Sequence, residues 1–319
     1  MVRQEAISKR ALPAMTRQSA LRQDLARVLS RNVGVLYVLP ASLLLLAITI
    51  VPFSYLIYNS LTNWNLQRAY LGKKFIGLEN YRAMLHDEIF WSAMRITGLA
   101  TVGVVVIQLV LGMCLALLFS RQLVGKRLLR SLFLLPLITT PVVVGLTWRM
   151  LYNSDLGMID YILGSLHLPT PVWLASTRWA LVSVIITDTW QAVPFVTLMF
   201  VAGLQALSLE PKEAATVDGA SAWRIFFDIT LPQLRPLIFL ALIFRATDAI
   251  RMFDLIYVMT SGGPANATQT LNLYAFKTGF TFLNIGYGSA LALVLMAICI
   301  AISFLLVRYS NFDVEGAAR

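Results

Sequence analysis

Charged side chains are scarce in this sequence. Asp, Glu, Lys and Arg together make up 13% of its 319 residues, whereas 58% of the residues are hydrophobic. A typical soluble domain has about twice that share of charged residues, because its surface must be hydrated. A water-soluble fold is therefore excluded, and the composition predicts an integral membrane protein with the lipid bilayer as its surroundings.

Cysteine and histidine are also nearly absent, which removes most metal and disulfide chemistry. Cys114 and Cys299 lie inside apolar runs, where a free thiol behaves as a small hydrophobic group. His86 and His167 lie in separate loop regions and lack the spacing of metal ligands. We predict no disulfide, no metal site and no catalytic residues, and this argues against a membrane enzyme.

Neither nucleotides nor nucleic acids are predicted as ligands of this chain. The phosphate-binding pattern G-x-x-x-x-G-K-[S/T] occurs nowhere in the sequence, so the chain itself lacks a predicted site for ATP and Mg. The formal net charge of +10 could indicate nucleic-acid binding, but most Lys and Arg residues lie in short segments beside apolar runs. In that position they act as topology signals rather than as a binding face.

Apolar stretches dominate what remains, and six of them reach the about 20 residues that a membrane-spanning helix needs. The predicted spans are residues 33–61, 96–120, 131–152, 179–207, 234–260 and 285–309. The fold class is therefore all-α, a polytopic membrane protein with six transmembrane helices. Pro136 and Pro141 predict a kink in the third span.

The distribution of basic residues predicts the orientation. The inner segments of this arrangement contain 16 Lys and Arg residues and the outer segments contain 6. By the positive-inside tendency, both termini and the loop 208–233 are expected in the cytoplasm. The basic tail 1–32 has no cleavage-site pattern and is predicted to be retained there, as is the short C-terminal tail 310–319.

The loop 208–233 contains a polar and aromatic element, Glu213–Pro232. Its pattern is E-A-A, three residues, Gly219, nine residues, and then I-x-L-P. It predicts a short helix, a tight turn at Gly219 and a second helix capped by Ser221. The aromatic residues of the second helix suit the cleft of a partner protein. Alternatively, they lie on the bilayer surface or pack under their own helices.

This spacing resembles the EAA loop of permease subunits of bacterial ABC importers. Four other segments resemble the first permease subunit of maltose-type carbohydrate importers, and the likeness covers residues 33 to 309. These segments are FIGLENY at Phe75–Tyr81, LLP at Leu134–Pro136, DTWQAVPF at Asp188–Phe195 and FDLIYVMTSGGP at Phe253–Pro264.

The resemblance implies a non-enzymatic subunit with the type I ABC importer permease fold in the bacterial inner membrane. It implies a heterodimer with a second homologous permease, two ATPase subunits that bind the ATP and Mg, and an extracytoplasmic solute-binding protein. The loop would couple the chain to the ATPase. The coupling residues assigned on this basis, together with two aromatic residues of the second helix, are Glu213, Ala214, Ala215, Asp218, Gly219, Trp223 and Phe226.

The fifth predicted span carries four charged residues at intervals of three: Arg245, Asp248, Arg251 and Asp254. Neighbours in this ladder can pair as opposite charges, but its ends lie half a turn apart, so an unbroken helix cannot direct all four to one cavity. Two interpretations follow. The charges form ion pairs that hold the helix to its neighbours, or they form a solute site near the membrane midplane.

Matching the family landmarks places the solute contacts on the third, fourth and fifth spans. The candidate substrate-binding residues, with Arg251 added from the charge ladder, are Leu137, Pro141, Asp188, Gln191, Ala192, Arg245, Asp248, Ala249, Arg251 and Asp254. Carboxylates accept hydrogen bonds from the hydroxyl groups of a sugar, and Trp148 or Trp190 could stack on a pyranose face. We therefore predict a sugar cargo, such as a disaccharide.

Two alternatives to a neutral sugar remain open. The arginines would also suit an anionic polyol or sugar derivative, such as glycerol 3-phosphate or a sulfonated or phosphorylated sugar, because a guanidinium group pairs with such anions through two hydrogen bonds. A secondary transporter could instead use the charges as a proton relay. Such a transporter would be expected to show an inverted repeat of broken helices, and no clear repeat is present in the sequence.

Overall fold

Helices make up most of the part of the protein that its structure, a computed structural model, describes, namely residues 17–121 and 125–309. In that part no strand forms, and the only strand-like pairing is an isolated bridge between Thr62 and Phe75. The all-α prediction is confirmed. The C-terminal tail 310–319 and the first half of the basic tail 1–32 lie outside the described residues.

The helices are numbered in chain order. They are α1 (Arg17–Ser60), α2 (Glu79–Leu85), α3 (Glu88–Ser120), α4 (Lys126–Ile138), α5 (Pro141–Leu151), α6 (Met158–Ser165), α7 (Trp179–Ala206), α8 (Glu210–Val217), α9 (Ala222–Ile225), α10 (Leu231–Gln233), α11 (Arg235–Ile250), α12 (Asp254–Met259), α13 (Leu271–Phe276) and α14 (Ile285–Tyr309). π-helical turns follow α9 at Phe226–Thr230 and α13 at Lys277–Thr281, and a 3₁₀ helix forms at Leu66–Leu71.

The chain divides into two units, residues 1–56 and residues 57–319. The described part of the first unit is residues 17–56 of α1, a helix that begins at Arg17, well before the predicted start of the first span at residue 33. Pro40 and Pro52 lie inside this helix without ending it. The portion Tyr37–Ser60 is long and apolar enough to cross a membrane.

Three further helices, α3, α7 and α14, are also long and apolar enough to span a membrane on their own. Two bent pairs could each supply one more span. Helices α4 and α5 meet at 100°, and the segment Ala222–Gln233 meets α11 at 66°. In the described residues the number of spans is thus four, or up to six if each bent pair counts as one. The kink predicted in the third span is present, between Ile138 and Pro141.

Helix α3 is the element on which the second unit packs, because small residues let its neighbours approach. Buried side chains recur every four residues along one stripe of the helix, and α7 and α11 lie against α3. At Gly112 on this stripe a Cβ atom would lie 2.7 Å from Val196 Cγ1 and 3.4 Å from the backbone nitrogen of Thr197. Only a residue without a side chain allows this separation between α3 and α7.

The fifth predicted span is broken, at a position that the charge spacing did not predict. Helix α11 ends at Ile250 and α12 begins at Asp254. The carbonyl group of Arg251 accepts a hydrogen bond from the Asn272 side chain at 2.8 Å, and that of Met252 accepts one from Thr270 at 3.3 Å. These side chains satisfy backbone groups that would be too costly to leave unpaired in an apolar medium.

A carboxylate joins the start of α3 to two other helices. Asp87 caps α3 by accepting from the Ile89 amide, and it accepts hydrogen bonds from the phenols of Tyr274 and Tyr287 at 2.5 and 2.6 Å. Burial alone would raise the pKa of Asp87, but these hydrogen bonds outweigh it and hold the pKa below its ordinary value. The network fixes α13 and α14 beside the first turn of α3.

Replacement of Gly112 by leucine should destabilise the second unit. The added side chain would have to displace Val196 and the α7 backbone, and overpacking of this kind costs about 1–3 kcal/mol. We expect a lower melting temperature for the purified chain, measured by loss of helical circular dichroism. Gly98→Leu on the same helix is the control, because a Cβ atom at Gly98 meets nothing within 4 Å. Equal melting temperatures for the two variants would contradict this account of the packing.

Candidate functional site

The break in the fifth span opens onto a cavity of about 430 Å³. The helices α4, α5, α7, α11 and α12 and the backbone of the break contribute to its wall. The lining residues are Leu137, Pro141, Asp188, Gln191, Ala192, Arg245, Asp248, Arg251, Met252, Phe253, Asp254 and Leu255. All four charges of the ladder therefore reach one cavity, because the chain does not continue as a single helix through Met252.

The deepest charged residue of the cavity is held in a buried network of three helices. Arg245 of α11 contacts Asp188 of α7 at 2.9 Å, and their side chains are only 8% and 13% exposed. Gln108 of α3 is fully buried and bonds to both: its Oε1 accepts from Arg245 Nε at 2.6 Å, and its Nε2 donates to Asp188 at 2.8 Å. Because the guanidinium can only donate and the carboxylate accepts, these contacts fix the orientation of the Gln108 amide.

The remaining charges of the ladder lie at the open side of the cavity. Asp248 stands between two arginines, 3.5 Å from Arg245 and 3.4 Å from Arg251. The side chains of Asp248 and Arg251 are 56% and 58% exposed. Arg251 also donates from Nε to the carbonyl group of Thr247 at 3.2 Å. Asp254 is exposed, and no ion pair or hydrogen bond reaches its carboxylate from the residues that the structure describes.

Gln191 of α7 offers a further hydrogen-bond acceptor to the cavity. Gln191 donates from Nε2 to the carbonyl group of Thr139 at 3.0 Å, at the bend between α4 and α5. Because a carbonyl oxygen only accepts, the amide nitrogen of Gln191 must point to the bend, which leaves its Oε1 as an acceptor. The bend between α4 and α5 and the break between α11 and α12 thus both border the cavity.

The structure brings together nine of the ten candidate substrate-binding residues; their role in binding stays a prediction. Ala249 is the exception. It is 2% exposed and packs in the hydrophobic core, since one step along the helix from Asp248 turns the side chain by about 100°. Arg245 is engaged by Asp188 on another helix, and not by Asp254 at the other end of the ladder.

Sequence reasoning missed several residues of this region. Met252 and Phe253 line the cavity only because of the helix break. Gln108 stabilises the wall from behind, and its signal was a single amide in an otherwise apolar span. Trp148 and Trp190, proposed to stack on a sugar ring, are not among the lining residues and instead pack edge to face at 5.6 Å.

The loop 208–233 folds as its sequence predicts, into a helix, a tight turn and a second helix. Gly219 adopts a φ of +77° after α8. Its amide bonds to the carbonyl group of Thr216 at 3.1 Å, and the Ala220 amide bonds to that of Ala215 at 2.9 Å. This double closure is the Schellman motif, in which glycine is the favoured residue. The Ser221 side chain then accepts from the Arg224 amide and caps α9.

The surface of this element is polar on α8 and aromatic on the second helix. Glu213, Ala214, Asp218 and Gly219 are exposed, and Ala215 is half-buried. Trp223 is 73% exposed and stacks on Phe227, with 5.9 Å between the ring centroids.

Phe226 differs from the two exposed rings beside it. It packs against the core formed by α3, α7 and α11. The packing alternative therefore applies to Phe226, whereas Trp223 and Phe227 are left at the surface of the chain.

Comparison with known proteins identifies relatives over most of the chain. The probable ABC transporter permease protein y4oQ of Sinorhizobium fredii is 41% identical over 84% of this chain and 86% of its own length. The sulfoquinovosyl glycerol transport system permease protein SmoG of Agrobacterium fabrum is 37% identical over 87% of this chain and 90% of its own. The trehalose/maltose transport system permease protein MalF of Thermococcus litoralis is 37% identical over 74% and 79%.

A solved structure shares the fold. The crystal structure of a bacterial ABC transporter involved in the import of the acidic polysaccharide alginate superposes with a TM-score of 0.77, covering 91% of this chain and 99% of the matched chain at 17% identity. Residues 108–315 match the model of the binding-protein-dependent transport system inner membrane component family. The chain is therefore a member of that family of ABC transporter permeases, which are multi-pass proteins of the inner membrane.

Proposed function

We propose that this chain forms half of the translocation pathway of an ATP-driven importer for a sugar or sugar derivative. The observation that carries the proposal is the polar cavity enclosed by the broken fifth span. Its volume of about 430 Å³ lies in the range of about 300–1,000 Å³ that is usual for small-molecule sites. Charged residues inside a membrane protein generally mark the path of a solute.

The relatives support a sugar cargo by their names. One is named for trehalose and maltose, and another for sulfoquinovosyl glycerol. A third relative, from Agrobacterium fabrum, is named for sn-glycerol 3-phosphate and is 33% identical over 75% of this chain. The second and third of these cargoes are anionic, so an anionic polyol or sugar derivative is the second candidate cargo.

The partners follow from the same proposal. A second permease subunit would complete the pathway, two ATPase subunits would bind ATP and Mg, and a solute-binding protein would deliver the cargo from outside. The exposed surface of α8, with Glu213 and Asp218, would contact the ATPase, and Trp223 would anchor in its cleft. This arrangement requires the loop 208–233 and both termini to lie in the cytoplasm, as the basic residues indicate.

Reconstitution of the chain into liposomes tests this function. We expect no sugar uptake and no ATP hydrolysis by the chain alone, because the pathway is half complete and the phosphate-binding motif is lacking. Both activities should appear when the chain is co-purified with its partner subunits through a tag. Robust uptake by the chain alone would refute the importer and favour a secondary transporter.

The cavity is tested by replacing Asp248 with asparagine. Loss of a hydrogen bond to a charged acceptor costs about 1.5–3 kcal/mol, so sugar uptake should fall by about tenfold or more. The melting temperature should hardly change, because ion pairs of a half-exposed side chain contribute little to stability. Uptake is measured with radiolabelled sugar in cells that carry the complete transport system.

Arg245→Met provides the contrasting variant. It leaves the Asp188 carboxylate buried without its counter-charge, which costs about 3–5 kcal/mol. The folded amount and the melting temperature of this variant should therefore fall.

Normal uptake by Asp248→Asn would contradict a solute role for the open side of the cavity.

Coupling is tested at Gly219. Valine at a φ of +77° is strained by about 1–3 kcal/mol, although a Cβ atom there meets nothing within 4 Å. Gly219→Val should therefore distort the turn, abolish sugar-stimulated ATP hydrolysis and leave the amount of inserted chain unchanged. Gly219→Asn is the matched control, since asparagine tolerates this conformation, and it should keep most activity. A fully active valine variant would rule out the proposed docking turn.

A further inference from the structure

The two arginines of the cavity differ in what they can offer to a ligand. All three nitrogen atoms of the Arg245 guanidinium are engaged: Nε with Gln108 at 2.6 Å, one terminal nitrogen with Asp188 at 2.9 Å, and the other with Asp248 at 3.5 Å. Two of the five guanidinium hydrogens remain, but the side chain is only 8% exposed, so little of this guanidinium can reach a ligand anion. Arg251 is more exposed, but it shares Asp248 and donates to the Thr247 carbonyl group.

The carboxylates of the cavity outnumber its arginines. Three of them, Asp188, Asp248 and Asp254, line the cavity with two arginines, which leaves one negative charge in excess. That excess is located at Asp254, since the described residues provide its carboxylate with neither a cation nor a hydrogen-bond donor. Together with the amide oxygen of Gln191, it makes the open side of the cavity rich in acceptors, and the one exposed cation of the lining, Arg251, is shared with Asp248.

We propose that Gln108, which does not line the cavity, sets its charge selectivity by holding Arg245 on Asp188, and that the cavity therefore favours uncharged polyhydroxylated solutes over anionic ones. This inference rests on the proposed function. Hydroxyl groups donate to the acceptors at the open side. A phosphate or sulfonate group would face the Asp254 carboxylate, and the one exposed guanidinium of the lining, that of Arg251, is already shared with Asp248.

Gln108 acts here as a positioning residue. Its amide donates to the carboxylate and accepts from the guanidinium, so it fixes the pair in one geometry from the side opposite the cavity. Without this amide, Arg245 Nε would be buried and unsatisfied, and the guanidinium would gain by turning toward a ligand anion. Selectivity for charge is then a property of the wall behind the site as well as of its lining.

The test compares two sugars with their own anionic derivatives: trehalose and maltose, each against its 6-phosphate. Binding is measured by titration calorimetry on the complex that co-purifies with the tagged full-length chain, in lipid nanodiscs. The unmodified protein should bind the neutral sugar at least about tenfold more tightly than its phosphate. The ratio of the two affinities is the readout, because partial unfolding lowers both affinities equally and leaves the ratio unchanged.

Three variants should shift that ratio toward the phosphate by about tenfold. Asp188→Asn and Gln108→Met release Arg245, and Asp254→Asn removes the excess negative charge. Asp155→Asn is the matched control: it removes another exposed carboxylate, in the turn before α6, and should not change the ratio. If Gln108→Met does not fold, Asp188→Asn, which keeps the shape of the side chain, tests the release of Arg245.

Different failures have different meanings. Tighter or equal binding of the phosphates by the unmodified protein would overturn the charge selectivity and leave the sugar site in place. An unchanged ratio in both Asp188→Asn and Gln108→Met would overturn the role of the buried network. If none of the four compounds binds, the proposed solute cavity is refuted, and this inference with it.

Discussion

A charge in an apolar medium needs a counter-charge, and this constraint organises the second unit of the protein. Arg245 is almost completely buried at the inner end of the cavity, and it is stabilised there by Asp188 and Gln108 from two other helices. The three residues belong to α11, α7 and α3, three helices that pack against one another. Their polar contact fixes the rotation of each helix in a way that apolar packing alone would leave loosely specified.

The break in the fifth span is the second device that the site requires. Charges spaced by three residues drift around a helix, so a continuous α-helix would direct Arg245 and Asp254 to different neighbours. Ending α11 at Ile250 and starting α12 at Asp254 brings both ends of the ladder to one cavity. The inner end of the ladder, Arg245, is thus ion-paired with a neighbouring helix, and its outer end, Asp254, is exposed.

Much of this architecture could be predicted because its signals are local in sequence. Apolar length marks the spans, and a glycine followed by a capping serine encodes the turn at Gly219 and the start of the second helix. Most cavity residues followed from the charge ladder and from family landmarks. The position of the helix break could not be predicted in this way, because it depends on Thr270 and Asn272, side chains about twenty residues away. The pairing of Arg245 with Asp188 has the same origin in tertiary structure.

The close approach at Gly112 has a mechanical consequence. Two helices whose backbones approach this closely cannot slide past one another without a clash, so α3 and α7 form a rigid pair. Segments that lack continuous backbone hydrogen bonds, at Thr139 and at Met252, are far easier to bend. These two joints, the bend between α4 and α5 and the break between α11 and α12, both border the cavity. Bending at these joints would change the shape of the cavity, while the pair of helices α3 and α7 behind it keeps its form.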